Sequence, residues 1–138
     1  MPETVHKAQD MISGMTPVAI SGEFVFVSTK DPALVASLSS EAISIFREDE
    51  GVSLLVPVEL AKLAEQNVEQ PMRCITLNVF SSLEGVGLTA AVSKALADQA
   101  IPCNMIAAFN HDHVFVPSKL CGQAMSVLQS LQKQSAVE

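Results

Sequence analysis

A short internal repeat constrains the fold of this 138-residue chain more than any other feature of its sequence. Residues 53–64 align without gaps on residues 113–124, and both segments run from an apolar strand-like stretch through a proline into a helix-like stretch. The identical positions are Val56/Val116, Pro57/Pro117, Leu60/Leu120 and Ala64/Ala124. Because the order of elements around the two segments also agrees, the repeat indicates a duplicated unit, with a chance match over a short window as the alternative.

Each half reads as strand, helix, hairpin and helix. The predicted strands are, in chain order, 24–27, 42–46, 53–56, 73–80, 103–109 and 113–116. Asp31 and Pro32 predict a helix start, as do Pro57 and Pro117. Residues 67–71 predict a boundary, which gives an N-terminal half at 1–70 and a C-terminal half at 71–138.

Several apolar side chains recur at the spacing of a buried face. In the helix after Pro57 they are Leu60, Leu63 and Ala64, and in the strand 73–80 they are Ile75, Leu77 and Val79. In the helix between that strand and residues 103–109 they are Leu88, Ala91, Val92, Ala95 and Leu96, and in the helix after Pro117 they are Leu120, Ala124, Leu128 and Leu131. The alternation in residues 42–46 is typical of a half-buried strand. The charged residues 48–51 predict a turn.

The N-terminal segment adds two elements to this pattern. Residues 4–14 predict a helix that stops at Gly14, and the apolar residues 17–20 predict a short strand. The turn residues Ser21 and Gly22 favour a hairpin between that strand and residues 24–27. Each half has one strand fewer than a βαββαβ unit, so the short strand could complete one half and an exchanged strand the other. The resulting prediction is an α+β fold with antiparallel sheets and helices packed on one face.

Composition excludes several classes of function. The net charge is −7 and the pI about 4.8, which argues against nucleic acid and anionic membranes as partners. No apolar run is long enough to span a bilayer, and the N-terminus has no basic and apolar signal pattern, so we expect a cytoplasmic protein. The 49% hydrophobic content indicates more apolar surface than a small monomer buries, which favours a homodimer.

The residues that could carry chemistry form no known catalytic or metal motif. Cys74, Cys103 and Cys121 are widely spaced and are interpreted as small reduced thiols. His111 and His113 could contribute to a metal site, but ordinary hydrogen bonding in the hairpin is the favoured interpretation. We therefore expect no metal, no cofactor and no enzymatic activity.

The second half resembles the ACT domain, a βαββαβ regulatory module of amino-acid metabolism. The residues that carry the resemblance are 73–77, 81–88, 101–104 and 112–117, of which Asp-His-Val-Phe-Val-Pro is the most specific. The resemblance covers residues 72–132 for ACT domains in general. It extends over nearly the whole chain for a small bacterial family of uncharacterised tandem proteins similar to the CASTOR-type amino-acid-sensing repeats.

This resemblance implies tandem ferredoxin-like halves and a ligand site in the second half. In ACT domains the loop after the first strand contacts the effector, and here the matching ligand-binding residues are Ser82, Glu84, Gly85, Val86 and Gly87. The CASTOR-like pattern adds Ala108, Phe109 and Asp112 near the hairpin tip. The first half has no glycine-rich loop at the matching position, which argues against a site there.

These residue types suit a free amino acid, which carries a carboxylate and an ammonium group. The start of the helix at Leu88 offers backbone N–H donors, and Gly85 and Gly87 permit close approach to them. Glu84 or Asp112 could accept the ammonium group. Each residue also has a purely structural interpretation: glycines that shape a turn, an acid that stabilises a helix end, and an aspartate in a hairpin turn.

Three functional hypotheses follow. The first is a non-catalytic ACT-type module that binds an amino acid and regulates an unidentified partner protein. The alternative is a structural or protein-interaction module without a ligand. The third is an enzyme that uses Glu84, Asp112 and His111, which no sequence motif supports.

Overall fold

The computed structural model describes residue 12 and residues 14–78 and 87–137. Their strands are β1 (Thr16–Ala19), β2 (Phe24–Thr29), β3 (Ser44–Glu48), β4 (Gly51–Pro57), β5 (Met72–Asn78), β6 (Asn104–Ala107) and β7 (Asp112–Pro117). Their helices are α1 (Pro32–Ser39), α2 (Val58–Leu63), α3 (Leu88–Asp98) and α4 (Cys121–Val137), with a 3-10 turn at Ser118–Leu120. The predicted α+β class is confirmed. The predicted helix at 4–14 falls almost wholly outside the described residues.

The chain divides into two compact units. We call Gly22–Met72 the continuous unit, and Met1–Ser21 together with Arg73–Glu138 the composite unit. The predicted halves, 1–70 and 71–138, place residues 1–21 in the N-terminal half, whereas the structure groups them with Arg73–Glu138. The difference arises because β1 pairs with β5.

The sheet of the continuous unit has the strand order β3-β4-β2, and both pairings are antiparallel. Helices α1 and α2 cover one face of it and bury a compact apolar core. The core consists of Val25, Val27, Leu38, Leu54, Val56, Val58 and Ala61. As predicted, Asp31 caps α1: its Oδ1 accepts a hydrogen bond of 3.0 Å from the backbone N–H of Ala33, and Pro32 occupies the first turn.

The sheet of the composite unit has the order β1-β5-β7-β6. β6 and β7 form the predicted antiparallel hairpin, and α3 and α4 cover one face. The core buried there includes Ile75, Leu77, Leu88, Val92, Leu96, Val114, Val116, Ala124 and Leu128. The predicted inner faces of α3 and α4 are therefore confirmed, with Leu120 and Leu131 partly buried against the same core.

The predicted hairpin between residues 17–20 and 24–27 was wrong. β1 pairs antiparallel with β5, placing Pro17 opposite Leu77 and Ala19 opposite Ile75. β2 instead pairs along its whole length with β4. The prediction that the short strand could complete one half is confirmed, since β1 is the fourth strand of the composite unit. Local turn residues could not reveal this, because the partner strand lies more than fifty residues away in sequence.

The two repeated segments adopt the same strand–proline–helix corner. Pro57 has φ −57° and ψ 140°, and Pro117 has φ −51° and ψ 136°. Three consecutive buried residues precede each proline: Leu54, Leu55 and Val56 in one repeat, and Val114, Phe115 and Val116 in the other. Shared dihedral angles and shared burial agree with the duplication that the repeat predicts.

In the continuous unit, the predicted burial was wrong for β3 and for one residue of α2. β3 buries none of its residues: Ile45 is 47% exposed and Phe46 is 70% exposed. In α2 and at its C-cap, Leu60 and Ala64 are partly buried against the core, as predicted, whereas Leu63 is 84% exposed. Val58 and Ala61 are buried in the same core.

The β3–β4 hairpin depends on a glycine immediately after its two-residue turn. Gly51 has φ +148°, and a Cβ atom there would lie 2.9 Å from the carbonyl oxygen of Thr29. We expect Gly51→Ala to lower the free energy of unfolding by about 1–3 kcal/mol, because backbone strain and a backbone clash add. Urea denaturation followed by circular dichroism measures this change.

Gly122 provides the matched control, because it lies in α4 and a Cβ atom added there would meet open space. Gly122→Ala should raise the free energy of unfolding by about 0.5–1 kcal/mol. Equal effects of the two substitutions would contradict the proposed role of Gly51.

Candidate functional site

The N-terminus of α3 is the best-defined part of the candidate site. Gly87 takes the left-handed conformation, with φ +106°, and its carbonyl oxygen accepts a 2.9 Å hydrogen bond from the N–H of Ala91. Leu88 is 4% exposed and holds the start of the helix in the composite core. The N–H groups of a first helical turn have no partner within the helix and lie at the positive end of its dipole. The first turn of α3, which comes after β5 and residues 79–86 in the chain, therefore offers backbone N–H donors that suit an anion.

The predicted site residues fall into two groups. Ser82, Glu84, Gly85 and Val86 lie outside the described residues. The others are described: Gly87 precedes α3, and Ala108, Phe109 and Asp112 lie in or next to the β6–β7 turn. Their membership of one ligand site remains a prediction.

The hairpin residues of the predicted site differ in exposure and in backbone contacts. The N–H of Ala108 donates to the carbonyl oxygen of His111 at 3.0 Å and closes the turn. Phe109 is 87% exposed at the tip, so it contributes little to any core. Asp112 is half-buried and pairs with Ala107 in the register of β6 and β7.

Alternation along β7 fixes the side on which Asp112 lies. Val114 belongs to the core beneath α3 and α4, and side chains two residues apart in a strand share a face. Asp112 is therefore on the helix-covered side of the sheet, at the end where the hairpin turns. An acidic side chain and the donor-rich start of α3 thus belong to the same side of one sheet.

A polar pair on the other side of this sheet was not predicted. Thr76 Oγ1 and His113 Nδ1 are 3.0 Å apart, within hydrogen-bond distance, and join β5 to β7. The ring of His111 meets that of His113 edge-on, with centroids 6.5 Å apart. The prediction that the hairpin histidines make ordinary hydrogen bonds is confirmed for His113. Its partner could not be foreseen, because Thr76 lies 37 residues earlier.

Partial burial shifts the pKa values of His113, Cys74 and Cys103. Desolvation lowers the pKa of His113 below its usual value, the charge of His111 lowers it further, and Asp112 raises it. Burial raises the pKa of the Cys74 thiol, an effect that its hydrogen bond with Thr76 opposes, and burial also raises the pKa of Cys103. Protonated thiols are poor nucleophiles, in agreement with their interpretation as packing residues.

Among residues 12, 14–78 and 87–137, no three histidine, cysteine, aspartate or glutamate side chains are grouped closely enough to hold a metal ion. In the same part of the chain, no helix combines the length and the apolar character needed to cross a bilayer.

Comparison with protein families identifies both halves of the sequence. Residues 5–73 match one ACT-domain model and residues 69–130 match a second. The chain belongs to the ACT-domain family. ACT domains are regulatory modules, typically non-catalytic, that bind small molecules such as amino acids, and this protein carries two of them in tandem.

Solved structures share this tandem ACT fold. A Vibrio cholerae protein of unknown function, described as a possible transport protein, is 34% identical with a TM-score of 0.79 over 90% of this chain and 94% of that chain. The aspartokinase α and β subunits are 14% identical with a TM-score of 0.60, covering 86% and 98% of the two chains.

A putative C-terminal regulatory domain of aspartate kinase from Porphyromonas gingivalis is 15% identical. Its TM-score is 0.56, over 86% of this chain and 96% of that chain. Both aspartate kinase structures show the fold alone at these identities. Comparison with curated protein sequences gives no significant match.

The lowered pKa of His113 predicts a pH-dependent stability. The unfolded state binds a proton at this position more readily than the folded state, so the free energy of unfolding should fall as pH decreases below about 6.5 toward the lowered folded pKa. We expect His113→Gln to reduce this pH dependence. Urea denaturation at pH 7.5 and at pH 5.5, both about one unit from the usual histidine pKa, measures it.

Thr76→Val is the control for this experiment. It removes the hydrogen-bonding partner but keeps the imidazole and its partial burial, so the pH dependence should persist. A His113→Gln variant with the full pH dependence of the wild type would show that another group is responsible.

Proposed function

We propose that this protein is a non-catalytic, ACT-type sensor that binds a free amino acid and acts as a cytoplasmic homodimer. The observation that carries the proposal is that α3 and Asp112 lie on the same side of the sheet in the composite unit. The family supplies the general role of ligand-binding regulation. The free thiols of Cys74, Cys103 and Cys121 support a reducing compartment.

In this proposal the two charged groups of an amino acid are bound by different elements. The first-turn N–H groups of α3 bind the carboxylate, and the left-handed conformation at Gly87 exposes them without a side chain in front. Asp112, at the hairpin end of β7, accepts hydrogen bonds from the ammonium group. The ACT resemblance adds the predicted residues Ser82, Glu84, Gly85 and Val86, which precede α3 in the chain, and Ala108 and Phe109 at the hairpin tip.

Regulation then follows from linkage. A ligand that binds one arrangement of the protein more tightly shifts the population toward that arrangement, by no more than the difference in its two affinities. A chain with two ACT domains conveys this shift to a separate regulated protein. The alternative, a protein-interaction module without a ligand, is favoured by the exposed apolar residues of β3.

The direct test is a thermal-shift screen of the full chain against individual free amino acids. A ligand that binds only the native state stabilises it by RT ln(1 + [L]/Kd), so the melting temperature rises with the logarithm of ligand concentration once the ligand is in excess of Kd. We expect one amino acid, or a chemically related group, to give a concentration-dependent rise. If none does, the amino-acid proposal is wrong and the interaction alternative gains support.

Asp112→Asn tests the site once a ligand is found. Loss of one charge-assisted hydrogen bond costs about 1.5–3 kcal/mol, so Kd should rise about ten- to a hundredfold in isothermal titration calorimetry. Asp98→Asn is the matched control, because Asp98 lies at the far end of α3 and pairs with Lys94 at 2.8 Å. Unchanged affinity in Asp112→Asn, or equal losses in both variants, would refute the assignment of Asp112.

A further inference from the structure

The negative charge of the protein is concentrated in the continuous unit. Residues 22–72 contain three basic and nine acidic side chains, so their net charge is 3 − 9 = −6, compared with −7 for the whole chain. Among the described residues, eight large apolar side chains are exposed, and five of these lie in the same unit. They are Phe26, Ile43, Ile45, Phe46 and Leu63. The two units of one duplicated chain therefore offer different surfaces to partners.

The sheet of the continuous unit carries two exposed aromatic side chains on the face opposite α1 and α2. Core residues alternate along β2 and β4, so the paired residues Phe26 and Leu55 point to that other face. Phe46 shares it, because its partner Ser53 lies two residues from Leu55 in β4. Phe26 is 51% exposed and Phe46 is 70% exposed. We call Phe26, Phe46 and Leu55 the aromatic face.

The strand register fixes the spacing of the two aromatic side chains. Phe26 and Phe46 lie on the two outer strands of the order β3-β4-β2, and their positions differ by two residues along the strands. At about 4.8 Å between strands and about 3.4 Å per residue, their Cα atoms are about 12 Å apart. Leu55, which is 0% exposed, lies between them. An α-helix covers this distance in about two turns, so apolar side chains about seven or eight residues apart on one helix face can contact both rings.

Acidic side chains surround the aromatic face. Glu48 lies on the face itself, two residues after Phe46, and its Oε1 accepts a hydrogen bond from Ser53 Oγ. Its second carboxylate oxygen can accept from a cation. Residues 22–31 and 40–57, which include β2, β3 and β4, have a net charge of 2 − 6 = −4. The acids are Glu23, Asp31, Glu41, Glu48, Asp49 and Glu50, the bases are Lys30 and Arg47, and all eight are exposed.

This charge selects among the possible occupants of the aromatic face. Nucleic acids and anionic lipid surfaces are repelled by it. A second copy of the chain would bring an identical acidic border against this one. A cationic protein segment is attracted, and exposed aromatic side chains are typical anchors of protein–protein interfaces.

We propose that the aromatic face binds a basic amphipathic helix of a partner protein. Apolar side chains of this helix cover Phe26 and Phe46, and its lysine and arginine side chains pair with Glu48 and the acids around it. The surface names the chemistry of the regulated protein, and it rests on the proposed function only for the statement that this partner is regulated. It lies on the continuous unit, whereas the predicted ligand residues lie on the composite unit.

Binding of designed peptides to the full chain, without added amino acids, tests the proposal. The probe is a labelled peptide of about 18 residues, with leucine along one helical face and lysine elsewhere. One control peptide has glutamate in place of every lysine. A second control has the same composition as the probe in an order that gives no apolar face. Fluorescence anisotropy should show binding of the probe, and at least about tenfold weaker binding of either control.

Substitutions in the protein locate the bound peptide. Phe26→Ser and Phe46→Ser should each raise Kd at least about tenfold, because each removes a large aromatic contact. Leu63→Ser is the matched control, because Leu63 is 84% exposed on α2, which covers the other face of the sheet. It should leave Kd unchanged, and circular dichroism should show that all three variants fold.

Glu48→Gln tests the contribution of charge. It should raise Kd about two- to fivefold and weaken the dependence of Kd on salt, because an exposed ion pair is modest and screened. Glu59→Gln removes the same charge from α2, where Glu59 is 87% exposed, and should leave both quantities unchanged.

Three results would overturn the proposal. The first is no binding of the probe, and the second is equal binding of either control peptide. The third is an equal loss of affinity in Leu63→Ser and Phe46→Ser. Sedimentation equilibrium without peptide tests the other occupant: self-association weakened by Phe46→Ser, with no binding of the probe, would assign the aromatic face to a second copy. Failure of amino-acid binding in the thermal-shift screen would leave the peptide result unchanged, so the two proposals fail separately.

Discussion

The strand–proline–helix corner is the constraint on which both hydrophobic cores depend. A proline fixes φ near −65° and lacks an N–H group, so the strand ends there and the next residues begin a helix. After Pro57, the N–H of Val58 donates to the carbonyl oxygen of Glu23 at 2.9 Å, which ties the new helix to the residue before β2. The same dihedral angles at Pro117 direct α4 over the other sheet. Helices on a single face follow from this repeated turn of the chain.

Local sequence signals predicted the parts of the fold that local interactions determine. The cap at Asp31, the inner face of α3 and the β6–β7 hairpin were all predicted correctly, because each depends on residues close in sequence. The partner of a strand is different. Ser21 and Gly22 suit a hairpin, yet β1 completes a distant sheet, where Pro17 is buried opposite Leu77 and Ala19 packs against the core opposite Ile75. Composition could not reveal that β3 is an edge strand either.

The candidate site shows the same limit. Gly87 before α3 could be predicted, because a glycine that precedes a helix offers both a left-handed conformation and free N–H groups. The contact between Thr76 and His113 could not, because it needs the adjacency of β5 and β7. Neither residue carries a motif of its own. Residues that share a sheet face become visible only when the strand order is known.

The order of the chain differs from the order of the folded units, and this bears on how the protein folds during synthesis. The continuous unit uses one uninterrupted stretch, Gly22–Met72, so it can form as soon as that stretch leaves the ribosome. β1 is synthesised before the continuous unit, whereas its partner strand β5 is synthesised after most of that unit. Its apolar residues remain without their sheet while the continuous unit folds, and loop closure across that unit limits the rate of the last step. Loss of the first strand would consequently damage the C-terminal half of the protein, and leave the neighbouring half intact.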